Sequence, residues 1–225
     1  MTQELGKIQR PEAGAFTGKR KLLLVPLMFA SPNQPQEGQT LLQKYWVQMQ
    51  SQVKSLESTL GKASHIYHEN LGEGGDEGLV WLEAADERSH RFVKAQCSSG
   101  AVLEATEDEE LLLEVMDLQR CLTLPFASER LANKLHEWYF DSMRQRYEHI
   151  AKAIDETLGE NEVGILLISE RHQVQFPQGV EVIYVSPPAL DEYRRWLQAW
   201  LKEQQSQAAS QASDTAKAQE TEEGQ

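Results

Sequence analysis

Short apolar runs alternate with long amphipathic stretches, and this alternation constrains the fold more than any other feature of the chain. The clearest run is 163–169, and similar runs occupy 21–29, 65–69 and 180–185. Such runs are typical of strands buried on both faces, whereas the segments between them repeat apolar residues at helical spacing. Strands joined through helices favour parallel pairing. The sequence therefore predicts an α/β fold, with a mainly parallel sheet of about four or five strands, helices on both faces and a helical middle region.

The first predicted strand contains a proline, Pro26. Proline lacks the backbone N–H that a central strand donates to its neighbour. The sequence therefore predicts that this strand lies at an edge of the sheet or bends at Pro26.

Composition divides the chain into three regions. Residues 1–20 are mostly polar and show no sustained period, which predicts a flexible lead-in. Residues 21–201 carry the strands and helices and are predicted to form a single α/β domain. Residues 202–225 contain no aromatic or branched aliphatic side chain, so they cannot bury enough apolar surface to offset the entropy of ordering. This last region is predicted to be a disordered acidic tail.

The charge balance and the apolar runs exclude several classes of protein. The 35 acidic residues outnumber the 22 basic ones, and the formal net charge of −13 argues against direct binding of nucleic acid. The sequence has no apolar run long enough to span a membrane, and residues 1–21 lack the apolar core of a signal peptide. We therefore expect a cytoplasmic protein without a membrane interaction. The two cysteines lack CxxC spacing, which argues against a thiolate zinc site.

Polar side chains follow two of the predicted strands, where ligands bind in open parallel sheets. They are His68 and Glu69 after the second strand and Glu170 and His172 after the run 163–169. Two imidazoles and two carboxylates suit a divalent metal such as zinc or manganese, with one carboxylate left as general base. A metal-free acid/base pair is a second interpretation. A purely structural role, in which His68 bonds a loop and Glu170 pairs with Arg171 at the surface, is the third.

Acidic residues concentrate between Glu104 and Asp117. A helix predicted from Glu107 to Arg120, with Thr106 as its N-cap, places four of them on one face: Glu107, Glu110, Glu114 and Asp117. Like charges at this spacing destabilise a helix unless they are solvated or pair with basic residues of another element. Candidates for such basic partners are Arg144, Arg146 and Lys152. A bound cation or a basic protein partner is the functional interpretation.

The last predicted helix carries three aromatic residues at helical spacing, Tyr193, Trp196 and Trp200. Aromatic residues in this pattern most often pack into a core. Because tryptophan and tyrosine are also favoured anchors of interfaces, self-association or a protein partner at this helix is the second interpretation.

Three segments together resemble the TraB family, whose relatives include the Tiki metalloproteases and the haem-binding ChaN proteins. The segments are 66–69 (IYHE), 146–154 (RYEHIAKAI) and 165–172 (ILLISERH). They are similar to the family's strand ending in Glu, its helix motif R-x-x-x-[IL]-A-x-x-I and its strand ending in G-x-x-H. The resemblance implies an α/β fold with Glu69 and His172 as metal-binding or catalytic groups. Ser169 replaces the glycine of the last motif, and 27–30 (LMFA) lacks the family's first G-x-x-H.

Two functional hypotheses follow. The preferred one is a non-catalytic interaction or scaffold protein on a TraB-like fold, which has kept the scaffold and lost catalysis. The alternative is a metal-dependent, hydrolase-like enzyme with Glu69 and His172 as catalytic residues and a metal held by His68, Glu69, Glu170 and His172. The sequence leaves open whether the chain is an enzyme and whether it holds any cofactor.

Overall fold

Strands and helices alternate along the chain as the hydrophobic pattern predicts. The computed structural model describes residues 18–31 and 33–222, with side chains through Gln207. The elements are β1 (Arg20–Pro26), α1 (Gln36–Leu60), β2 (His65–His68), α2 (Gly75–Ala85), α3 (Glu87–Ser98), β3 (Val102–Leu103), α4 (Glu109–Leu122), α5 (Glu129–Thr157), β4 (Val163–Ile168), β5 (Val180–Tyr184) and α6 (Pro188–Glu222). None of the described helices is both long enough and apolar enough to cross a bilayer.

The described chain forms two compact units. The first consists of the residues up to Met28 together with Gln50–Val185, and it holds all five strands. The second consists of Phe29–Met49 and the residues from Ser186 onward. Helix α1 therefore contributes its amino-terminal part to the second unit and its carboxy-terminal part to the first.

The five strands of the first unit form one sheet in the order β3-β2-β4-β1-β5. Every pairing is parallel, with Leu24 opposite Leu166 between β1 and β4 and Ile66 opposite Ile165 between β2 and β4. These pairings confirm the predicted α/β fold with a parallel sheet.

Strand β1 is not at an edge, because it lies between β4 and β5. Pro26 is its last residue, and the pairing with β5 has already ended at Leu24 opposite Tyr184. The Leu27 N–H donates to the Ile168 carbonyl of β4 at 2.9 Å, so the nitrogen of Pro26 faces the β5 side by alternation. The missing N–H of Pro26 therefore costs the sheet no hydrogen bond, which is why proline is tolerated here.

The carboxy-terminal half of α5 covers one face of the sheet. Ile150, Ile154 and Leu158 pack there against a buried cluster that includes Leu22, Leu24, Tyr67, Leu166 and Ile168. The spacing of four residues along α5 places its buried side chains on one stripe. The first buried residue of α5 is Ser142, and the amino-terminal half of the helix pairs with α4.

In the second unit, aromatic residues of α6 pack against the amino-terminal part of α1. A Cβ atom at Gly38 would lie 2.0 Å from the ring of Trp196, so the absence of a side chain there lets the ring approach. Trp196 stacks between Tyr193 and Trp200, with ring centroids 6.0 and 5.8 Å apart. The Tyr193 hydroxyl is buried 3.0 Å from Gln34 Oε1. Tyr193 and Trp196 thus pack within this unit, while a partner for the helix stays a prediction.

The two predicted terminal regions lie partly outside the described residues. Of the predicted lead-in 1–20, only Gly18, Lys19 and Arg20 are described, and Arg20 already begins β1. Helix α6 continues to Glu222, so helix is assigned to most of the segment 202–225 whose composition predicts disorder.

Candidate functional site

Glu69 and Ser169 meet at the carboxyl edge of the sheet. They follow the neighbouring strands β2 and β4, and the Glu69 N–H donates to the Leu167 carbonyl at 2.9 Å. The Ser169 backbone N–H donates to Glu69 Oε2 at 2.6 Å, and the Ser169 hydroxyl donates to Glu69 Oε1 at 3.2 Å. The carboxyl ends of adjacent parallel strands thus bring together residues that are a hundred positions apart in the chain.

Arg146 of α5 joins this carboxylate to a second one. Its Nη2 lies 3.2 Å from Glu69 Oε1 and 3.0 Å from Asn70 Oδ1. Its Nε lies 2.8 Å from Glu107 Oε2, and Nη2 also reaches the other oxygen of Glu107, which makes that pair bidentate. The side chains of Arg146, Glu69 and Glu107 are 6%, 8% and 0% exposed. We call these three residues the buried charge cluster.

The cluster holds one guanidinium against two carboxylates. Burial lowers the pKa of Arg146, but the bonds and charges of Glu107 and Glu69 raise it more, so the pKa lies above its ordinary value and the arginine stays charged. Each carboxylate also accepts from a neutral backbone donor: the Asn70 N–H donates to Glu107 Oε1, and the Ser169 N–H donates to Glu69 Oε2. Every member is hydrogen-bonded, as buried charges must be. The cluster therefore ties β2, β4, α5 and the residues before α4 together.

His68 faces the opposite side of the sheet from this cluster. Tyr67 packs on the α5 side, so alternation directs His68 to the other side and Glu69 back toward α5. His68 is buried, and its Nδ1 donates to the Glu69 carbonyl at 2.5 Å. Burial lowers the pKa of His68, so the ring is neutral near pH 7.

The structure does not collect the four predicted metal ligands into one set. His172 is half-buried, and its Nδ1 accepts from the Val174 N–H at 3.3 Å. Glu170 is exposed and accepts from the Tyr184 hydroxyl at 2.8 Å. Both oxygens of Glu69 accept from protein donors, including an arginine, which is a poor neighbour for a metal ligand. Among the described residues, no group of three or more His, Cys, Asp or Glu side chains is arranged to hold a metal ion.

The predicted start of the acidic helix is wrong. Helix α4 begins at Glu109, and its N-cap is Asp108, whose side chain accepts from the Leu111 N–H at 3.0 Å. Thr106 instead bonds the His68 N–H, and Glu107 precedes the helix and is buried. The four predicted acids therefore do not share one helical face. The expectation that Arg146 answers an acid of this segment is confirmed by its pair with Glu107.

A cleft of about 1040 Å³ opens above the buried charge cluster, within the first unit. Glu69, Arg146 and Ser169 line it together with residues of the loop after β4. Its apolar lining comes from the end of β1 and from α5 and includes Leu27, Met28, Phe140, Met143 and Ala151. The sequence carried one signal for this site, because Arg146 precedes Ile150 and Ile154 on the buried stripe of α5. A charge on such a stripe needs a buried partner.

The Tyr147 hydroxyl and the Arg171 guanidinium line the cleft, and neither has a hydrogen-bond or ion-pair partner among the described residues. Tyr147 is half-buried, and Arg171 is exposed on the loop after β4. Burial and the charge of Glu69 raise the pKa of Tyr147, so its hydroxyl remains protonated and can donate.

Three comparisons with known proteins give no match to this chain. None was found among protein-family models, curated proteins or solved structures. The resemblance to the TraB family therefore stays a prediction.

The neutral, buried His68 predicts a loss of stability at acid pH. Its folded pKa lies below the ordinary 6.5, so only the unfolded chain gains this proton as the pH falls below that value. The free energy of unfolding should fall by up to about 1.4 kcal/mol per pH unit for this group. Urea titrations at several values between pH 7 and pH 5 give the free energy of unfolding as a function of pH. This free energy should fall less steeply with decreasing pH in His68→Asn than in wild type. His136→Asn, at an exposed position of α5, is the control and should behave as wild type does. Equal slopes in all three proteins would contradict the assignment.

Proposed function

We propose that this chain is a non-catalytic binding protein that holds a small amphipathic molecule in the cleft at the carboxyl edge of the sheet. The observation that carries the proposal is the cleft itself, with an apolar wall from α5 and a floor of fixed polar groups. Ligand sites typically have volumes of about 300–1,000 Å³ and combine an apolar lining with a few placed polar groups. The cleft, at about 1040 Å³, lies just above that range.

The state of Glu69 favours binding over catalysis. The Glu69 carboxylate already accepts three hydrogen bonds, one from Arg146 and two from Ser169. These occupy most of its roughly four lone-pair positions, which leaves little capacity for a metal ion or a substrate proton. The metal-dependent hydrolase remains the alternative. It requires Glu69 to exchange these donors for a metal ion and His172 to turn from Val174 toward the same ion. A TraB-like scaffold without catalysis agrees with the binding proposal.

Filling the cleft should block binding of a neutral apolar probe. Ala151 lines the cleft, and the neighbouring Lys152, with its side chain 69% exposed, does not. Ala151→Trp should weaken the binding of Nile red, measured by fluorescence titration, by at least about tenfold, because the indole occupies the probe's volume. Phe140→Ala, at a side chain that is already exposed, should weaken it less.

Lys152→Trp adds the same side chain outside the cleft and should bind Nile red as wild type does. Circular dichroism of each variant confirms the fold. Absence of Nile red binding to wild type, or equal binding by Ala151→Trp and Lys152→Trp, would refute a binding cleft at this position.

A further inference from the structure

We propose that the ligand of the cleft is an amphipathic monoanion whose headgroup lies between the Arg171 guanidinium and the Tyr147 hydroxyl. This inference rests on the proposed binding function and adds the chemical class of the ligand. It follows from which charges in the cleft already have partners and which do not.

Each acidic side chain of the cleft has a hydrogen-bond or ion-pair partner within the protein. Glu69 accepts from Arg146 and Ser169. Asp141 and Glu148 pair with Arg144 at 3.3 and 3.7 Å, one turn away on either side along α5. Glu170 accepts from the Tyr184 hydroxyl. A cationic ligand would have to compete with a protein donor at each of these carboxylates.

Some hydrogen-bond donors of the cleft have no partner among the described residues. Arg144 and Arg146 are paired, but Arg171 has no acid or carbonyl partner among the described residues. The protonated Tyr147 hydroxyl likewise has no acceptor there. A ligand that supplies acceptors, and in particular one negative charge, would satisfy both groups.

The apolar wall determines the rest of the ligand. The same cleft has an aliphatic and aromatic lining, from Met143 and Phe140 of α5 and from Leu27 and Met28, which follow β1. A headgroup at Arg171 and Tyr147 therefore extends naturally into a hydrocarbon body along this wall. Medium-chain carboxylates have this combination of one anionic group and an apolar chain.

Three probes with one chain length separate the headgroup from the hydrocarbon. Decanoate, decan-1-ol and decylammonium are titrated, below micelle formation, as competitors of Nile red against the full-length protein. Wild type should prefer decanoate to both others by about tenfold, which is the size expected for one charge-assisted pair at a partly exposed site. Arg171→Gln should lose that preference, because its affinity for decanoate falls far more than its affinity for decan-1-ol, whereas Tyr147→Phe should lose part of the preference.

Arg91→Gln, an exposed arginine on α3 outside the cleft, is the matched control and should retain the full preference. Equal affinities for decanoate and decan-1-ol, or a preference for decylammonium, would overturn the anion assignment while leaving the binding cleft intact. A decanoate preference that survives in both Arg171→Gln and Tyr147→Phe would overturn the headgroup position. Failure of the cleft itself would appear separately, as loss of the difference between Ala151→Trp and Lys152→Trp with Nile red.

Discussion

Arg146→Met is expected to destabilise the protein by about 3–5 kcal/mol, the cost of leaving buried charges without their counterion. In the wild type, Arg146 is 6% exposed and bonds both Glu69 and Glu107. Methionine fills a similar volume, but it leaves two buried carboxylates close together with no cation between them. The free energy of unfolding from urea titrations at pH 7 measures the loss.

Two companion variants separate charge from packing. Arg144→Met removes an arginine whose side chain is 64% exposed from the same helix and should cost less than about 1 kcal/mol. The double variant Arg146→Met/Glu107→Gln should recover part of the loss, because it removes one of the two uncompensated charges. A cost for Arg146→Met no greater than that for Arg144→Met would show that the cluster does not support the fold.

Gly74→Ala is expected to cost about 2–3 kcal/mol through steric overlap with backbone atoms. A Cβ atom at Gly74 would lie 2.6 Å from the Leu103 carbonyl oxygen and 3.0 Å from the Ala105 nitrogen. Both atoms belong to the main chain at the end of β3, so neither can turn away as a side chain would. Relief requires the loop before α2 to move away from β3.

Gly72 in the same loop provides the control. A Cβ atom there would meet its nearest neighbour, Glu109 Cβ, at the ordinary contact distance of 3.8 Å. Gly72→Ala should therefore change the midpoint of thermal unfolding far less than Gly74→Ala. Equal midpoints for the two variants would show that the approach of Gly74 to β3 is looser than described.

Periodicity was sufficient to predict the α/β fold. The run at 163–169 coincides closely with β4, because a strand inside a parallel sheet must be apolar on both faces. The run at 180–185 coincides with β5, although β5 is an edge strand without a fully buried residue. Strand order could not be predicted in this way. That β1 lies between β4 and β5 depends on how the helices pack, and the length of an apolar run does not encode it.

The candidate site was predictable in position more than in composition. The rule for parallel sheets singled out Glu69 and the loop after β4, and the structure places both in the lining of the cleft. The rule does not predict which side chains of β2 face α5. In the structure Glu69 lies on the α5 side of the sheet and His68 on the opposite side. The sequence pattern also did not identify Asp108 as the N-cap of α4. Thr106 and Asp108 are both good N-cap residues, and the tertiary hydrogen bonds of Thr106 and Glu107 decide between them.

The position of β1 in the sheet has a consequence during synthesis on the ribosome. Both neighbours of this strand, β4 and β5, are translated long after it, whereas β2 and β3 can already pair with each other. Residues 22–25, which are buried in the native protein, therefore emerge as an apolar segment with no strand to pair with. Until residues 163–184 have been made, neither native neighbour of this segment is present to cover it.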